Sequence, residues 1–164
     1  MSGMHLLTLL SLTHVLLASS DRQGQRIECQ KAVELTEAWR AGPDGSKVRP
    51  GGPYSFRGWG CDLNRQLQWF RFSGDAGNRM RDTCPPMYSC GAMMPMWTDQ
   101  PPPSEVGVKK RINVYESWSP GHVCKFFAKP VEVIRCSHDT EHDLVYRNYG
   151  ARSNQCYQTF CGMH

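Results

Sequence analysis

The chain has 164 residues, of which 21% are charged and 40% are aliphatic, aromatic or cysteine. This composition is too apolar for a disordered chain, and its apolar runs are too interrupted for a bundle of membrane helices. The 19 lysines and arginines exceed the 15 acidic residues by only +4, and the surplus is spread along the chain. We therefore expect one folded domain and no nucleic-acid partner.

The first residues have the pattern of a secretory signal peptide. An apolar run extends from Leu6 to Ala18 and is shorter than the about 20 residues that span a bilayer. Ala18 and Ser20 are the small residues of a cleavage site. The pattern predicts removal of residues 1–20, a mature chain of residues 21–164 and secretion to the extracellular space. The alternative is a buried N-terminal helix. No later segment predicts a membrane span.

The mature region contains all eight cysteines: Cys29, Cys61, Cys84, Cys90, Cys124, Cys136, Cys156 and Cys161. An even number of cysteines behind a signal peptide indicates disulfides formed in an oxidising compartment. Free or metal-bound thiols are the alternative, although no pair has the CxxC spacing of a zinc ribbon. Four bridges at about 2–4 kcal/mol each match the net stability of a whole domain.

The predicted elements are mostly strands and loops. Apolar residues at helical spacing predict one short helix over residues 30–41, which Gly42 and Pro43 end. Residues 42–60 are rich in glycine and proline and predict a surface loop. Strands are predicted at residues 67–72, 106–118, 123–135 and 144–149. The predicted fold class is a small disulfide-stapled β-rich or α+β domain with long loops.

A series of motifs follows in the middle of the chain: Trp69-Phe70-Arg71-Phe72, Gly74 with Gly77, Arg79-Met80, Cys84 with Pro86, Cys90-Gly91 and Pro95-Met96-Trp97. In this order the motifs resemble the eight-cysteine domain of uromodulin-like proteins. The resemblance extends from Cys29 to Gly162, because cysteine order, cysteine spacing and several tryptophans agree together. It implies a non-enzymatic extracellular module that presents loops to protein or glycan partners.

The resemblance also implies a disulfide pairing: Cys29–Cys136, Cys61–Cys156, Cys84–Cys124 and Cys90–Cys161. The spacing of the cysteines alone leaves the other pairings open. The chain contains no Asn-x-Ser/Thr sequence, so the resemblance provides no N-glycan for it to present.

One short motif suggests an alternative function. His138, Glu141 and His142 match the H-x-x-E-H pattern of zinc proteases. On a helix the two histidines share a face and hold one metal, with Glu141 as the base of a small secreted zinc-dependent hydrolase. A catalytic zinc needs a third protein ligand, and no acidic residue follows Asp143. The other interpretation is a solvated loop, and we expect no catalytic residue, metal or cofactor.

Candidate binding residues lie in the loop over residues 42–60, where Tyr54, Phe56 and Trp59 are aromatic side chains between glycines and prolines. Burial of Trp59 in the core is the alternative, and we favour it slightly over contact with a partner. We expect the other tryptophans in the core: Trp39, Trp69, Trp97 and Trp118. The basic triplet at residues 109–111 indicates a processing site, a patch for acidic sugars or an exposed strand end. A toxin-like protein is a weaker possibility, because the modest charge does not favour attack on membranes.

Overall fold

The computed structural model describes residues 27–41, 61–62, 67–118, 123–140, 142–149 and 158–164. In these segments the chain forms nine strands: β1 (Val33–Leu35), β2 (Trp69–Phe72), β3 (Arg79–Met80), β4 (Met94–Trp97), β5 (Lys109–Glu116), β6 (Ala128–Arg135), β7 (Leu144–Asn148), β8 (Gln158–Phe160) and β9 (Gly162–Met163). Helical structure in the same segments is limited to a turn at residues 27–31 and two 3-10 segments, Ala38–Arg40 and Gly74–Ala76. None of these helices is long and apolar enough to cross a membrane.

Seven of the strands form one sheet in the order β1-β2-β7-β6-β5-β4-β8, and β3 pairs with β9 in a small second sheet. The strands from β2 to β4 in this order pair antiparallel, whereas β1 and β8 add to the two edges in parallel. The predicted fold class, a small disulfide-stapled β domain with loops, is confirmed. The four predicted strands are also confirmed, and they correspond to β2, β5, β6 and β7.

The main core lies on one face of the large sheet. Its side chains alternate along the strands with more exposed ones, as a half-buried sheet requires. The members are Leu35, Phe70, Phe72, Ala76, Met80, Met96, Ile112, Val114, Val131, Val133, Leu144, Tyr146 and Phe160. At its centre the ring of Phe70 stacks on Phe160 and Tyr146, with centroid distances of 4.7 and 5.7 Å. Each such side chain contributes about 1.5–3 kcal/mol by leaving water.

The predicted helix over residues 30–41 is wrong. The helical turn ends at residue 31, and Val33–Leu35 forms β1, which pairs in parallel with Phe70–Phe72. The 3-10 segment Ala38–Arg40 follows. The physical reason is tertiary: pairing with β2 places Leu35 in the core with no exposed surface. Burial and strand pairing outweigh the weak helical preference of this short segment.

Three disulfides whose two cysteines are both described hold the loops and strand ends together. They are Cys29–Cys136, Cys84–Cys124 and Cys90–Cys161, which are three of the pairs that the family resemblance implies. Cys61 is also disulfide-bonded, and its implied partner Cys156 lies outside the described residues. The Cys29–Cys136 bridge packs against a small second core on the other face of the sheet, formed by Trp69, Ile134 and Val145.

Candidate functional site

The predicted binding residues Tyr54, Phe56 and Trp59 lie outside the described residues, but the structure shows what holds the two ends of their segment. Arg40 precedes the segment and Asp62 follows it. Their side chains form a bidentate ion pair, Nη1–Oδ2 at 2.5 Å and Nη2–Oδ1 at 3.0 Å, and both residues are only 2% exposed. The Phe160 N–H also donates to Asp62 Oδ2 at 2.8 Å. The two residues that flank the segment in the sequence are therefore joined to each other beside β8.

The charge of Arg40 is well supported in this environment. Burial alone lowers the pKa of its guanidinium, but attraction and hydrogen bonds to Asp62 and Glu37 outweigh that effect. The pKa is therefore raised above its ordinary value, and Arg40 keeps its charge. The Arg40 Nε donates to Glu37 at 2.8 Å, and the Trp39 ring lies 4.3 Å from the guanidinium carbon. These contacts indicate a structural role for the pair.

The H-x-x-E-H motif does not lie on a helix in the described residues. His138 is exposed and His142 is half-buried, and both belong to the connection between β6 and β7. Glu141 lies outside the described residues. Next to the motif, Arg71 donates to the Asp143 carboxylate at 3.0 Å. Within the described segments no three His, Cys, Asp or Glu side chains gather to hold a metal ion. The shared helical face that the hydrolase hypothesis requires is missing here.

An exposed aromatic cluster lies where the β5–β6 hairpin ends. We call it the aromatic hairpin tip and define it as Trp118, Val123, Phe126 and Phe127. Paired backbone hydrogen bonds of 2.9 and 2.7 Å between Trp118 and Val123 close the hairpin. The rings of Trp118 and Phe126 stack at 5.6 Å, and Phe127 meets Phe126 edge-on at 4.5 Å. Val123, Phe126 and Phe127 are 43%, 41% and 57% exposed.

The lysines near the aromatic hairpin tip are paired with acids. Lys125 forms an ion pair with Asp99, and Lys129 forms one with the buried Glu116. The hydrogen bond from Lys125 to Asp99 raises the pKa of Lys125. The Cys84–Cys124 disulfide joins the hairpin to the segment between β3 and β4. The tip is therefore apolar, joined to the neighbouring segment by a disulfide, and flanked by lysines whose charges are paired.

Sequence reasoning missed this cluster. The adjacent Phe126 and Phe127 lie within the predicted strand over residues 123–135, where an alternating strand would bury one of them. Strand β6 instead begins at Ala128, so both rings precede it and remain exposed. The expected burial of four tryptophans is also only partly correct. Trp69 and Trp97 are buried as expected, but Trp39 and Trp118 are only partly buried.

The outer face of the sheet carries a second group of candidate side chains. We call it the arginine–tyrosine face and define it as Arg111, Asn113 and Tyr115 of β5, Arg147 of β7 and Tyr149. The guanidinium carbons of Arg111 and Arg147 lie 5.5 and 4.7 Å from the Tyr149 ring centroid. Cation–π contacts at these distances hold long side chains in place.

The carboxylate of Glu132 lies within this face. Glu132 of β6 stands between Arg111 and Arg147 in the strand register. Its Oε2 accepts hydrogen bonds from Arg147 Nη2 at 3.1 Å and from the Tyr149 hydroxyl at 2.9 Å. The Glu132 carboxylate is therefore already hydrogen-bonded to Arg147 and Tyr149.

The basic triplet at residues 109–111 is not one continuous patch. Because side chains alternate along a strand, Lys109 and Arg111 share one face of β5 and Lys110 points to the other. Lys109 pairs with Glu28 at 2.8 Å, and the Lys110 ammonium donates to the Pro101 carbonyl at 2.7 Å. Of the three predicted basic residues, only Arg111 contributes to the arginine–tyrosine face.

A small β domain stapled by several disulfides is typical of extracellular proteins as a class. The family follows from sequence comparison. The profile of the uromodulin-like eight-cysteine domain matches residues 70–162, which is more than half of the chain. The chain belongs to this uromodulin-like domain family, and the resemblance noted from the motifs is confirmed.

Individual relatives agree with this assignment. Rat uromodulin is 31% identical over 109 residues, covering 66% of this chain and 15% of the relative. Mouse uromodulin is 34% identical over the same length, with the same two shares. The dog pancreatic secretory granule membrane major glycoprotein GP2 is 31% identical over 156 residues, 88% of this chain and 26% of the relative. The chain thus spans about a quarter or less of the length of these relatives.

Proposed function

We propose that this chain is a secreted, non-enzymatic binding module that presents its loops to extracellular protein or glycan partners. Residues 1–20 act as its signal peptide, and residues 21–164 form the single eight-cysteine domain. Membership of the uromodulin-like domain family supports the extracellular assignment, and so do the three disulfides. Uromodulin and the granule glycoprotein are much longer proteins, so their partners are not transferred to this chain.

The observation that carries the proposal is the aromatic hairpin tip. Phe126 and Phe127 expose large apolar rings, whereas the aromatic rings of the main core are buried. Aromatic side chains supply much of the energy at protein interfaces when they enter a partner's surface. The neighbouring Cys84–Cys124 disulfide and the Trp118–Val123 backbone pairing limit the freedom of the tip, so docking costs less conformational entropy.

The chemistry of the tip favours a protein partner with an apolar, uncharged contact surface. Lys125 and Lys129 already pair with acids of this chain, so they offer little attraction to an anionic partner. Sugar binding requires hydrogen-bonding side chains beside the aromatic ring, whereas the tip residues are apolar apart from the indole of Trp118. Tyr54, Phe56 and Trp59, which lie between Arg40 and Asp62 in the sequence, form a second proposed contact region.

The test begins with expression of the full chain, its own leader included, in a secretory host. N-terminal sequencing of the secreted protein is expected to begin at Asp21. The protein is then screened by biolayer interferometry against arrays of extracellular proteins and glycans. The expected result is at least one saturable partner whose affinity falls about tenfold or more in Phe126→Ser/Phe127→Ser.

Leu67→Ser is the matched control, because Leu67 is an apolar side chain with 64% exposure outside the hairpin tip. It is expected to bind like the wild type. Equal losses in both variants would contradict docking through the tip, and a folded protein that binds neither proteins nor glycans would contradict the module itself.

The hydrolase alternative receives its own measurement. Metal analysis of the secreted protein is expected to find no stoichiometric zinc. Peptidase and esterase screens are expected to show no activity that Glu141→Gln removes. Stoichiometric zinc together with an activity that depends on Glu141 would replace the binding module by an enzyme.

A further inference from the structure

The arginine–tyrosine face contains a row of side chains suited to a short oligosaccharide. Arg111, Asn113 and Tyr115 alternate along β5 and therefore point to the same side of the sheet. Alternate residues of a strand are about 6.8 Å apart, so the row is about 14 Å long. Arg111 and Asn113 are exposed, and Tyr115 is half-buried. The row thus offers a charge, an amide and a phenol in line.

The strand beside this row leaves two of its three positions open, because Glu132 lies opposite Arg111. Pro130 lies opposite Asn113 and Ala128 lies opposite Tyr115 in the β5–β6 register. Both are short and exposed, so they form a low flank along the row. At the other end of the row, the Lys125 ammonium lies 4.7 Å from the centroid of the Tyr115 ring and closes that end. A ligand on the row would have a shallow trough along its β6 side.

The charges of the face do not cancel. The Glu132 carboxylate pairs with Arg147 and accepts a hydrogen bond from the Tyr149 hydroxyl. Arg111 contacts the Tyr149 ring and pairs with no carboxylate among the described residues. Arg111 is therefore an exposed guanidinium that a ring holds in position. A guanidinium binds a planar carboxylate through two parallel hydrogen bonds. One unpaired arginine suits a ligand with one carboxylate better than a polysulfated chain, which needs a run of cations.

The backbone at this point excludes the addition of a peptide strand. The Asn113 N–H donates to Gln100 Oε1 at 2.7 Å, and the Asn113 carbonyl accepts from Thr98 Oγ1 at 2.8 Å. Both main-chain groups are therefore occupied, so an extended peptide cannot pair with β5 here. Only side chains remain for recognition: the Arg111 guanidinium, the Asn113 amide, which bonds hydroxyl groups, and the exposed part of the Tyr115 ring, which packs against a sugar ring.

We propose that the arginine–tyrosine face binds a carboxylate-bearing sugar, with Arg111 as the ligand of the carboxylate. Asn113 bonds the sugar hydroxyls, and the exposed part of the half-buried Tyr115 ring packs against the sugar. This inference rests on the proposed binding function and names a glycan class for a surface other than the aromatic hairpin tip. An acidic peptide is the competing ligand, and the experiment includes it.

The experiment titrates the folded, disulfide-intact protein with sialyllactose, with neutral lactose and with a glutamate-rich peptide. Binding is followed by calorimetry and by backbone amide shifts in the NMR spectrum. The expected result is saturable binding of sialyllactose, with shifts centred on residues 111–115, and at least tenfold weaker binding of lactose and the peptide. Equal binding of lactose would overturn the role of the carboxylate, and equal binding of the peptide would overturn the sugar class.

The variants separate a specific contact from general charge. Arg111→Gln removes the charge at similar length and is expected to weaken sialyllactose binding at least tenfold. Arg111→Lys keeps the charge and is expected to keep part of the affinity for sialyllactose. Lys109→Gln is the matched control, because Lys109 lies on the same face of the same strand but pairs with Glu28. An Arg111→Gln variant that unfolds at the wild-type temperature yet binds normally would sink the proposal.

The two surfaces keep the two proposals separable. If sialyllactose does not bind, but a protein partner binds and its affinity falls in Phe126→Ser/Phe127→Ser, only this inference is overturned. If no protein or glycan binds either surface, the proposed function fails as well.

Discussion

Arg40 and Asp62 are 22 positions apart in the chain, yet their side chains meet in a fully hydrogen-bonded, buried ion pair. The pair is tied to β8 from both sides. Arg40 Nη1 donates to the Phe160 carbonyl at 3.3 Å, and the Phe160 N–H donates to Asp62. The disulfide-bonded Cys61 is the neighbour of Asp62. A polar clamp therefore joins the edge strand β8 to both ends of the segment that carries Tyr54, Phe56 and Trp59.

Removing one charge of this clamp should be severe. In Asp62→Asn the Arg40 guanidinium loses its buried countercharge and keeps only the more exposed Glu37, and we expect the free energy of unfolding to fall by about 3–5 kcal/mol. Urea denaturation with the disulfides intact measures it. The matched control is Asp82→Asn, because Asp82 pairs with Arg79 at 2.7 Å on the exposed surface. A loss within about 1 kcal/mol is expected there, and similar losses in both variants would contradict a special role for the buried pair.

Close packing at Gly162 gives a second prediction. A Cβ at this position would lie 1.9 Å from the Ala76 carbonyl oxygen and 2.8 Å from the Phe72 ring. Since backbone atoms cannot move away as easily as flexible side chains, we expect Gly162→Ala to lower the free energy of unfolding by about 3 kcal/mol or more. The measurement is chemical denaturation of the purified variant.

Gly74→Ala is the control for Gly162→Ala. Gly74 has a φ of +56°, but a Cβ there meets nothing within 4 Å. Only the backbone preference is lost, so a decrease of about 1–2 kcal/mol is expected. If Gly74→Ala is as harmful as Gly162→Ala, the close approach to Ala76 does not limit stability.

Tyr146 predicts a loss of stability at alkaline pH. Its buried hydroxyl accepts a hydrogen bond from the Met80 N–H at 3.2 Å. Burial raises the pKa of Tyr146 from 10.0 to about 12, although the Met80 hydrogen bond and two arginines oppose the shift. Because the unfolded chain ionises first, the stability present below pH 10 is lost as the pH rises towards 12. The expected loss is about 2–3 kcal/mol, measured as the free energy of unfolding across this range.

Tyr146→Phe is the comparison for the alkaline loss. It should start about 1–3 kcal/mol lower, because the Met80 N–H loses its acceptor. Between pH 10 and 12 the variant should also not show the loss of stability that ionisation of Tyr146 causes in the wild type. Parallel decreases in the variant and the wild type would show that other groups cause the alkaline unfolding.

The fourth disulfide remains a prediction from the family pairing. Peptide mapping of the unreduced protein is expected to find Cys61 linked to Cys156, beside the three bridges of the structure. Cys61→Ala/Cys156→Ala should lower the free energy of unfolding by about 2–5 kcal/mol, because the bridge closes a long loop. A peptide that links Cys61 to any other cysteine would contradict the pairing.

Strand β5 shows how far local pattern can reach. Its alternation of apolar and polar residues predicted a half-buried strand, and the structure has Ile112 and Val114 in the core with Arg111 and Asn113 outside. The same reasoning failed for residues 30–41. Apolar residues there have helical spacing, but Val33–Leu35 pairs with the distant strand β2 instead. It also failed to separate Phe126 and Phe127 from β6, because the start of a strand depends on its pairing partner.

The chain alone therefore determined the class of the domain: alternation marks strands wherever one face is buried, and an even set of cysteines in the family order marks a disulfide framework. Only the tertiary structure decided which side chains meet. The contact of Arg111 with the Tyr149 ring and the closure of Arg40 on Asp62 depend on strand register and on the packing of β8. Residues far apart in the chain set that register together, so no local window of the sequence contains it.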